Sequence, residues 1–234
     1  MRQLKKTLKR LLDRVGFSLY RNLYLPIGLD IRSFIQNKKA DIRTIFDVGA
    51  NVGQTTEYFG RAFEAHIYAF EPVRHTFEIL ASRNFPNCTC FNFAFGANEG
   101  DSSMYLKQRS VLNSLSSKNN PHTDINEIIT IKIIDNFCRE NRIDCIDILK
   151  TDTEGYDLEV LQGAEQMLRN GRVKFVFTEA TMNSQNTINT QWKEIDAYLQ
   201  KFHYQLQGFF DQSSHAGSTQ LDFFNVLYQL NNLP

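Results

Sequence analysis

No apolar stretch of this 234-residue sequence approaches the roughly 20 residues that a membrane-spanning helix needs. Net charge is absent as well: 26 basic and 26 acidic side chains cancel, which argues against a protein that is basic all over to bind nucleic acid. Cysteines are few. Cys88, Cys90, Cys138 and Cys145 include no Cys-x-x-Cys pair, are too few for a disulfide scaffold, and have no zinc-site spacing. They read as buried or half-buried free thiols in a reducing compartment. The five histidines form no ligand cluster, and although several carboxylates converge, no spacing demands a metal. What remains, 42% hydrophobic and 22% charged residues, suits one soluble globular domain with a sizeable core rather than disorder.

The zero charge is an average. From Met1 to Lys39 basic residues dominate, opposed only by Asp13 and Asp30. Leu4, Leu8, Leu11, Leu12 and Val15 recur at helical spacing among lysines and arginines, which predicts a basic amphipathic helix of about four turns ending near Gly16. The start lacks the apolar run of a signal peptide, so a cytoplasmic protein is expected. Residues 1–40 are therefore read as a basic helical extension and residues 41–234 as the functional domain. The extension has two readings: docking on anionic lipid at the inner face of the membrane, or packing on the domain's flank, where a dimer contact is one option. The second is preferred, and the oligomeric state is left open.

From Asp41 short apolar runs alternate with helical patterns. Strands are expected at residues 44–48, 66–70, 88–95, 127–133, 146–151, 173–177, 203–210 and 222–228. Helices are expected at 54–62 and 74–84, after a capping Asp135, through Leu158–Leu168, and at 191–202. Residues 103–107 suggest a hairpin extension of the third strand, and 110–124 the longest loop. Such alternation predicts an α/β fold, a mostly parallel sheet covered by helices on both faces.

The sharpest motif is Phe46-Asp47-Val48-Gly49-Ala50-Asn51-Val52-Gly53-Gln54, an apolar strand running through Asp-x-Gly-x-Asn-x-Gly into a helix. Glycines let the backbone approach a ligand, and the helix start offers free N–H groups. It is neither the Gly-x-Gly-x-x-Gly of dinucleotide sites nor a phosphate loop. An aspartate here would repel a pyrophosphate but attract an ammonium group. The next strand ends in Phe70-Glu71-Pro72, where a carboxylate can accept hydrogen bonds from both hydroxyls of a ribose. S-adenosylmethionine fits both halves, with its ribose at Glu71 and its charged methionine end near Asp47.

These segments resemble the FkbM-type S-adenosylmethionine-dependent methyltransferases. The resemblance rests on residues 46–53 (FDVGANVG), 70–72 (FEP), 92–96 (NFAFG), 146–164 (IDILKTDTEGYDLEVLQGA), 177–179 (FTE) and 221–227, in order over about 190 residues. Where the family reads Lys-Ile-Asp-Val-Glu-Gly, this chain has Lys150-Thr151-Asp152-Thr153-Glu154-Gly155, keeping both acids and the glycine. The resemblance implies a Rossmann-like class I methyltransferase sandwich, with a seven-stranded, mostly parallel sheet and an antiparallel last strand. It implies methyl transfer to a hydroxyl oxygen of a sugar, glycan or natural product. The implied cofactor residues are Asp47, Gly49, Ala50, Asn51, Gly53, Glu71 and Pro72, with Asp152 at the methionine end and Ala94 near the adenine.

An aliphatic hydroxyl needs a base as the new bond forms. Asp152, Glu154 and Glu179, at strand ends, are the candidates. Glu154 is expected to open a helix, whose dipole would favour its charged form and make it a positioner more than a base. Of the histidines, His122 in the long loop ranks first as a base, His75 lies near the ribose site, and His66 reads as structural. Tyr156 and Phe209 or Phe210 are candidates to line the acceptor pocket. The expected partner is a small-molecule or glycan acceptor and not a nucleic acid. The alternatives are a nucleotide-cofactor oxidoreductase and a non-catalytic peripheral membrane or assembly protein on the same fold.

Overall fold

A computed structural model describes residues 30–38, 40–106, 125–214 and 220–231. The amphipathic helix expected before Gly16, the 110–124 loop with His122, and His215 lie outside the described residues. The first described element, α1 (Ile31–Asn37), starts where the Asp30 carboxylate accepts the Arg32 N–H at 3.0 Å. Ile31 and Ile35 are buried in the same cluster as Ile45, Phe59 and Ile67, so this helix shares the core of the domain.

Among the described residues ten strands and six further helices follow. They are β1 (Thr44–Val48), α2 (Gln54–Ala62), β2 (His66–Phe70), α3 (Arg74–Ser82), β3 (Cys88–Phe91), β4 (Ala94–Phe95) and β5 (Gly100–Leu106). After these come β6 (Ile125–Lys132), α4 (Ile134–Asn141), β7 (Ile146–Thr151), α5 (Asp157–Gln162) and α6 (Glu165–Arg169). The chain ends with β8 (Val173–Ala180), α7 (Trp192–Gln200), β9 (Tyr204–Ser214) and β10 (Leu221–Leu230). Seven strands form one sheet in the order β3-β2-β1-β7-β8-β10-β9. β10 runs antiparallel to both β8 and β9, whereas the pairs from β3 to β8 are all parallel. The central strands carry the apolar runs that burial on two faces demands: every residue of β7 is buried. Along β1 the side chains alternate, Phe46 joining Phe70, Phe95 and Phe137 on one face and Ile45 joining Ile67, Ile148 and Phe177 on the other.

Three local expectations are corrected. The strand expected over 88–95 breaks after Phe91, because the Asn92 side-chain amide donates to the carbonyls of Glu71 (2.9 Å) and Pro72 (2.8 Å) where a ladder would continue. Its far end, β4, joins β6 and β5 in a separate three-stranded sheet. The helix expected through Leu158–Leu168 is two helices. Asp135 was expected to cap its own helix; it sits in the first turn of α4, and its carboxylate accepts the N–H groups of Gln166 (2.8 Å) and Met167 (3.0 Å). Those donors would otherwise bond back within one continuous helix, so Asp135 fixes the restart at α6. No helix among the described residues is long and apolar enough to cross a membrane.

Candidate active site

The carboxyl ends of β1, β2, β7 and β8 open on a cavity of about 390 Å³. Its apolar end is lined by Pro72, Phe93, Ala94 and Met104, and its acidic end by Asp152, Glu154 and Glu179. Gly49, Ala50, Asn51 and Glu71 lie between them.

Chain geometry dictates the turn after β1. Gly49 has φ +74°, and a Cβ there would lie 2.0 Å from the Asp152 carbonyl oxygen. The turns leaving β1 and β7 therefore touch backbone to backbone, with Asp152 N–H donating to Val48 O at 3.1 Å. Across the turn, Glu71 accepts Asn51 N–H on one carboxylate oxygen and Val73 N–H on the other, each at 3.0 Å. Burial pushes the Glu71 carboxyl up to about 7, against the pull of those two N–H groups. It therefore titrates near neutrality and keeps lone pairs for further donors.

Asp47 and Gly53 do not line the cavity. Asp47 is wholly buried beneath the turn, 2.9 Å from the Lys150 ammonium and accepting the Thr56 hydroxyl at 2.6 Å. Gly53 leads into α2 against Leu80 and Phe85. Lys150 escaped the sequence reading. It reaches from the middle of the sheet to the Gly49 carbonyl (2.9 Å) and lies 3.6 Å from Asp152, with 4% of its side chain exposed. Burial opposes its charge, but Asp47 and Asp152 more than offset this and raise its pKa. The available signal was a lone lysine inside an apolar central strand, a place where a charge must be paired.

The turn after β7 differs from expectation. Glu154 (φ +53°) and Gly155 (φ +94°) precede the helix, and the acidic residues in its first turn are Asp157 and Glu159. A Cβ on Gly155 would sit 1.7 Å from the Ile188 carbonyl oxygen, so the 181–190 segment lies directly on this turn. Asp157 is fully buried beside the Thr151 and Thr153 hydroxyls, which favour its charged form. Burial, helped by Asp152, raises it to about 7. Glu179, 8% exposed at the end of β8, accepts a hydrogen bond from the Asn189 amide. Burial first, then Asp152, Asp157 and Glu154, pushes its pKa well above the carboxylate range. Sequence reasoning missed Asp157 and Asn189.

Tyr156 lines the cavity, whereas Phe210 is buried in the core and Phe209 packs on Trp192; Phe223 takes the place expected of them. His75 lies outside this cavity, beside Pro72, and His66 pairs with the Thr89 hydroxyl at 2.9 Å. Among the described residues no group of three or more His, Cys, Asp or Glu side chains is arranged to hold a metal ion.

A sheet of this order, with a reversed last strand and a cavity over the first two strand tips, defines a class I S-adenosylmethionine-dependent methyltransferase. The family model described as "Methyltransferase FkbM domain" matches residues 47–206, and the chain belongs to that family. S-adenosylmethionine is its cofactor. Among solved structures, an rRNA methylase from Streptococcus thermophilus is similar at 10% identity and a TM-score of 0.50, covering 92% of this chain and 99% of that one. TrmK from M. capricolum, in complex with S-adenosyl-homocysteine, gives 10% identity and a TM-score of 0.48, covering 85% of this chain and 67% of that one. Fibrillarin from Aeropyrum pernix gives 12% identity and a TM-score of 0.45; the match spans 80% of this chain and 66% of that chain. At 10% identity the likeness to the Streptococcus thermophilus structure is one of fold. No curated protein matches the sequence.

Proposed function

We propose that this protein methylates a hydroxyl oxygen of a sugar, glycan or natural-product acceptor held over β7 and β8. The observation that carries the reading is that Asp152, Glu154 and Glu179 line the same cavity as the Gly49–Asn51 turn and Glu71. The residues present fit the cofactor: the Gly49–Asn51 turn lines the cavity beside Glu71, a buried, backbone-anchored acceptor suited to two ribose hydroxyls. Pro72 and Ala94 offer an apolar wall for an adenine. When bound, S-adenosylmethionine supplies an electrophilic methyl group on a sulfonium.

The chain's own task is to hold the acceptor oxygen in line and take its proton. Asp152, with 38% of its side chain exposed where Glu179 is buried, serves as the base. Glu179, kept neutral by burial, donates a hydrogen bond to the acceptor. Four carboxylates, Asp152, Glu154, Asp157 and Glu179, gather here with one buried ammonium. Such a lining exchanges hydrogen bonds with hydroxyls and, among the described residues, offers a phosphodiester backbone no cation but the buried Lys150, which favours a polyol-like acceptor over RNA. The test is methyl transfer by the full chain from S-adenosylmethionine to a panel of glycosides, polyketide alcohols and total RNA, read by mass spectrometry. A methyl ether on a non-nucleic-acid acceptor, lost in Asp152→Asn, is the expected result. Transfer to RNA alone, or to nitrogen or carbon, overturns the proposal.

A further inference from the structure

Cys88 and Cys90 lie on β3, an edge strand of the main sheet, opposite Ile67 and Ala69 of β2. Alternation puts both side chains on one face, and their sulfurs are 3.8 Å apart. Both thiols are half-buried, so a small oxidant reaches them in the folded chain. They pack on a cluster of Ala50, Ala69 and Leu80, and Ala50 belongs to the turn that lines the cofactor cavity.

We propose that Cys88 and Cys90 form a redox-active dithiol, which a hydroperoxide converts to an intrachain disulfide that weakens cofactor binding. The chemistry balances with hydrogen peroxide as the oxidant. The Cys90 thiolate attacks one peroxide oxygen, the O–O bond breaks, and the departing hydroxide takes a proton to become water. The Cys88 sulfur then attacks the Cys90 sulfenic acid, the S–O bond breaks, and a second water leaves with the Cys88 proton. Two thiols lose two electrons, and one peroxide becomes two waters. The order follows from the contact between the sulfurs: a hydrogen bond from Cys88 lowers the Cys90 pKa and raises that of Cys88, so Cys90 ionises first.

Closure brings the sulfurs from 3.8 Å to about 2.05 Å. An extended strand separates alternate Cα atoms by about 6.6 Å, near the upper limit for a disulfide, so β3 must pucker at Thr89. Among the described residues its outer edge pairs with no strand, which leaves room to do so. A bond closed under such strain is readily reduced, and the site is reversible. The pucker acts on the cofactor cavity through two links. Phe91 O accepts the Glu71 N–H at 3.0 Å, and Asn92 bonds the Glu71 and Pro72 carbonyls. The affinity effect rests on the reading of Glu71 as the ribose acceptor; the disulfide does not.

The full chain, reduced and then treated with equimolar hydrogen peroxide, is alkylated and digested with trypsin. The peptide 84–107, between Arg83 and Lys107, carries both cysteines. It is expected to lose two hydrogens, escape alkylation, and return to the dithiol with dithiothreitol. Affinity for S-adenosylhomocysteine, by titration calorimetry, is expected to fall about fivefold on oxidation, as when one hydrogen bond is misplaced, and to recover on reduction. Cys90→Ser abolishes both effects, and Cys88→Ser leaves a sulfenic acid at Cys90 that dimedone traps. A peptide still alkylated twice, or a bridge to Cys138 or Cys145, overturns the proposal. Unchanged affinity in a fully oxidised chain overturns the coupling, and Glu71→Ala measured alongside shows whether the ribose assignment falls with it.

Discussion

Replacing Lys150 with methionine removes the ammonium that answers a wholly buried carboxylate. Asp47 has no exposed surface, Lys150 Nζ lies 2.9 Å from it, and the Thr56 hydroxyl would be its remaining partner. Breaking a buried pair from one side leaves an uncompensated charge, at a cost of about 3–5 kcal/mol. Lys150 also donates to the Gly49 carbonyl, so the turn itself loses a tie. Against a usual domain stability of about 5–15 kcal/mol, this is a large fraction. Urea unfolding followed by circular dichroism should show the midpoint falling by about 1–2 M, for a slope of about 2–3 kcal/mol per molar. The second arm is Asp47→Asn combined with Lys150→Met. With no charge left to bury, the double variant should regain at least half of the loss, a coupling of at least about 2 kcal/mol in the double-mutant cycle. A single-variant loss below about 1 kcal/mol, or strict additivity in the cycle, would refute the view that this pair braces the turn from below.

Glu71 gives a pH dependence of definite sign. Its folded value of about 7 exceeds the ordinary 4.5, so its contribution to stability is present below 4.5 and lost as the pH rises to about 7. Glu71→Gln should remove that slope, worth about 3 kcal/mol, and equal slopes in the two proteins would contradict the assignment. If the ionised carboxylate holds the ribose, affinity for S-adenosylhomocysteine climbs up to pH 7 and levels above it; a flat profile by calorimetry argues otherwise. Gly49→Ala should cost more than about 2 kcal/mol and at least tenfold in cofactor affinity, since its Cβ would meet Asp152 O at 2.0 Å; an unchanged melting temperature refutes this. Asp152→Asn should lower kcat by about 10²–10⁴ with the cofactor KM nearly kept. A rise in that KM alone would mark Asp152 as a cofactor contact instead.

The parts legible in the sequence are those set by neighbours along the chain. The β1 turn announces itself because strand, glycines and helix start are contiguous, and Glu71 because it ends the next apolar run. The fully buried β7 reads as a strand from composition alone. Long-range partners are less legible. Asp47 and Lys150 are opposite one another in the β1–β7 register, but nothing local says that these strands are adjacent. Asp135 looks like a cap for the helix it begins, and only the packing of α4 beside α6 sends its carboxylate to Gln166 and Met167. Glu154 was given the helix-start role that Asp157 holds, because a left-handed turn at Glu154 and Gly155 delays the helix. Asn189 joins Glu179 from ten residues away through a segment without periodicity.

The small β4–β6–β5 sheet bears on how such an enzyme changes its substrate. Met104 of β5 lines the cavity, while β5 and β6 are zipped together from Gly100↔Ile131 to Leu106↔Ile125, beyond which residues 107–124 lie outside the described chain. The ladder is complete at its open end, so the length of sequence between the two strands is decoupled from the cofactor turns. Doubling such a connection costs only about 0.6 kcal/mol in closure entropy. Selection can therefore lengthen, shorten or rewrite that stretch while β1, β2 and β7 go on binding the same cofactor. The paired strands are a socket, and the sequence that joins them can change without rebuilding the cofactor turns.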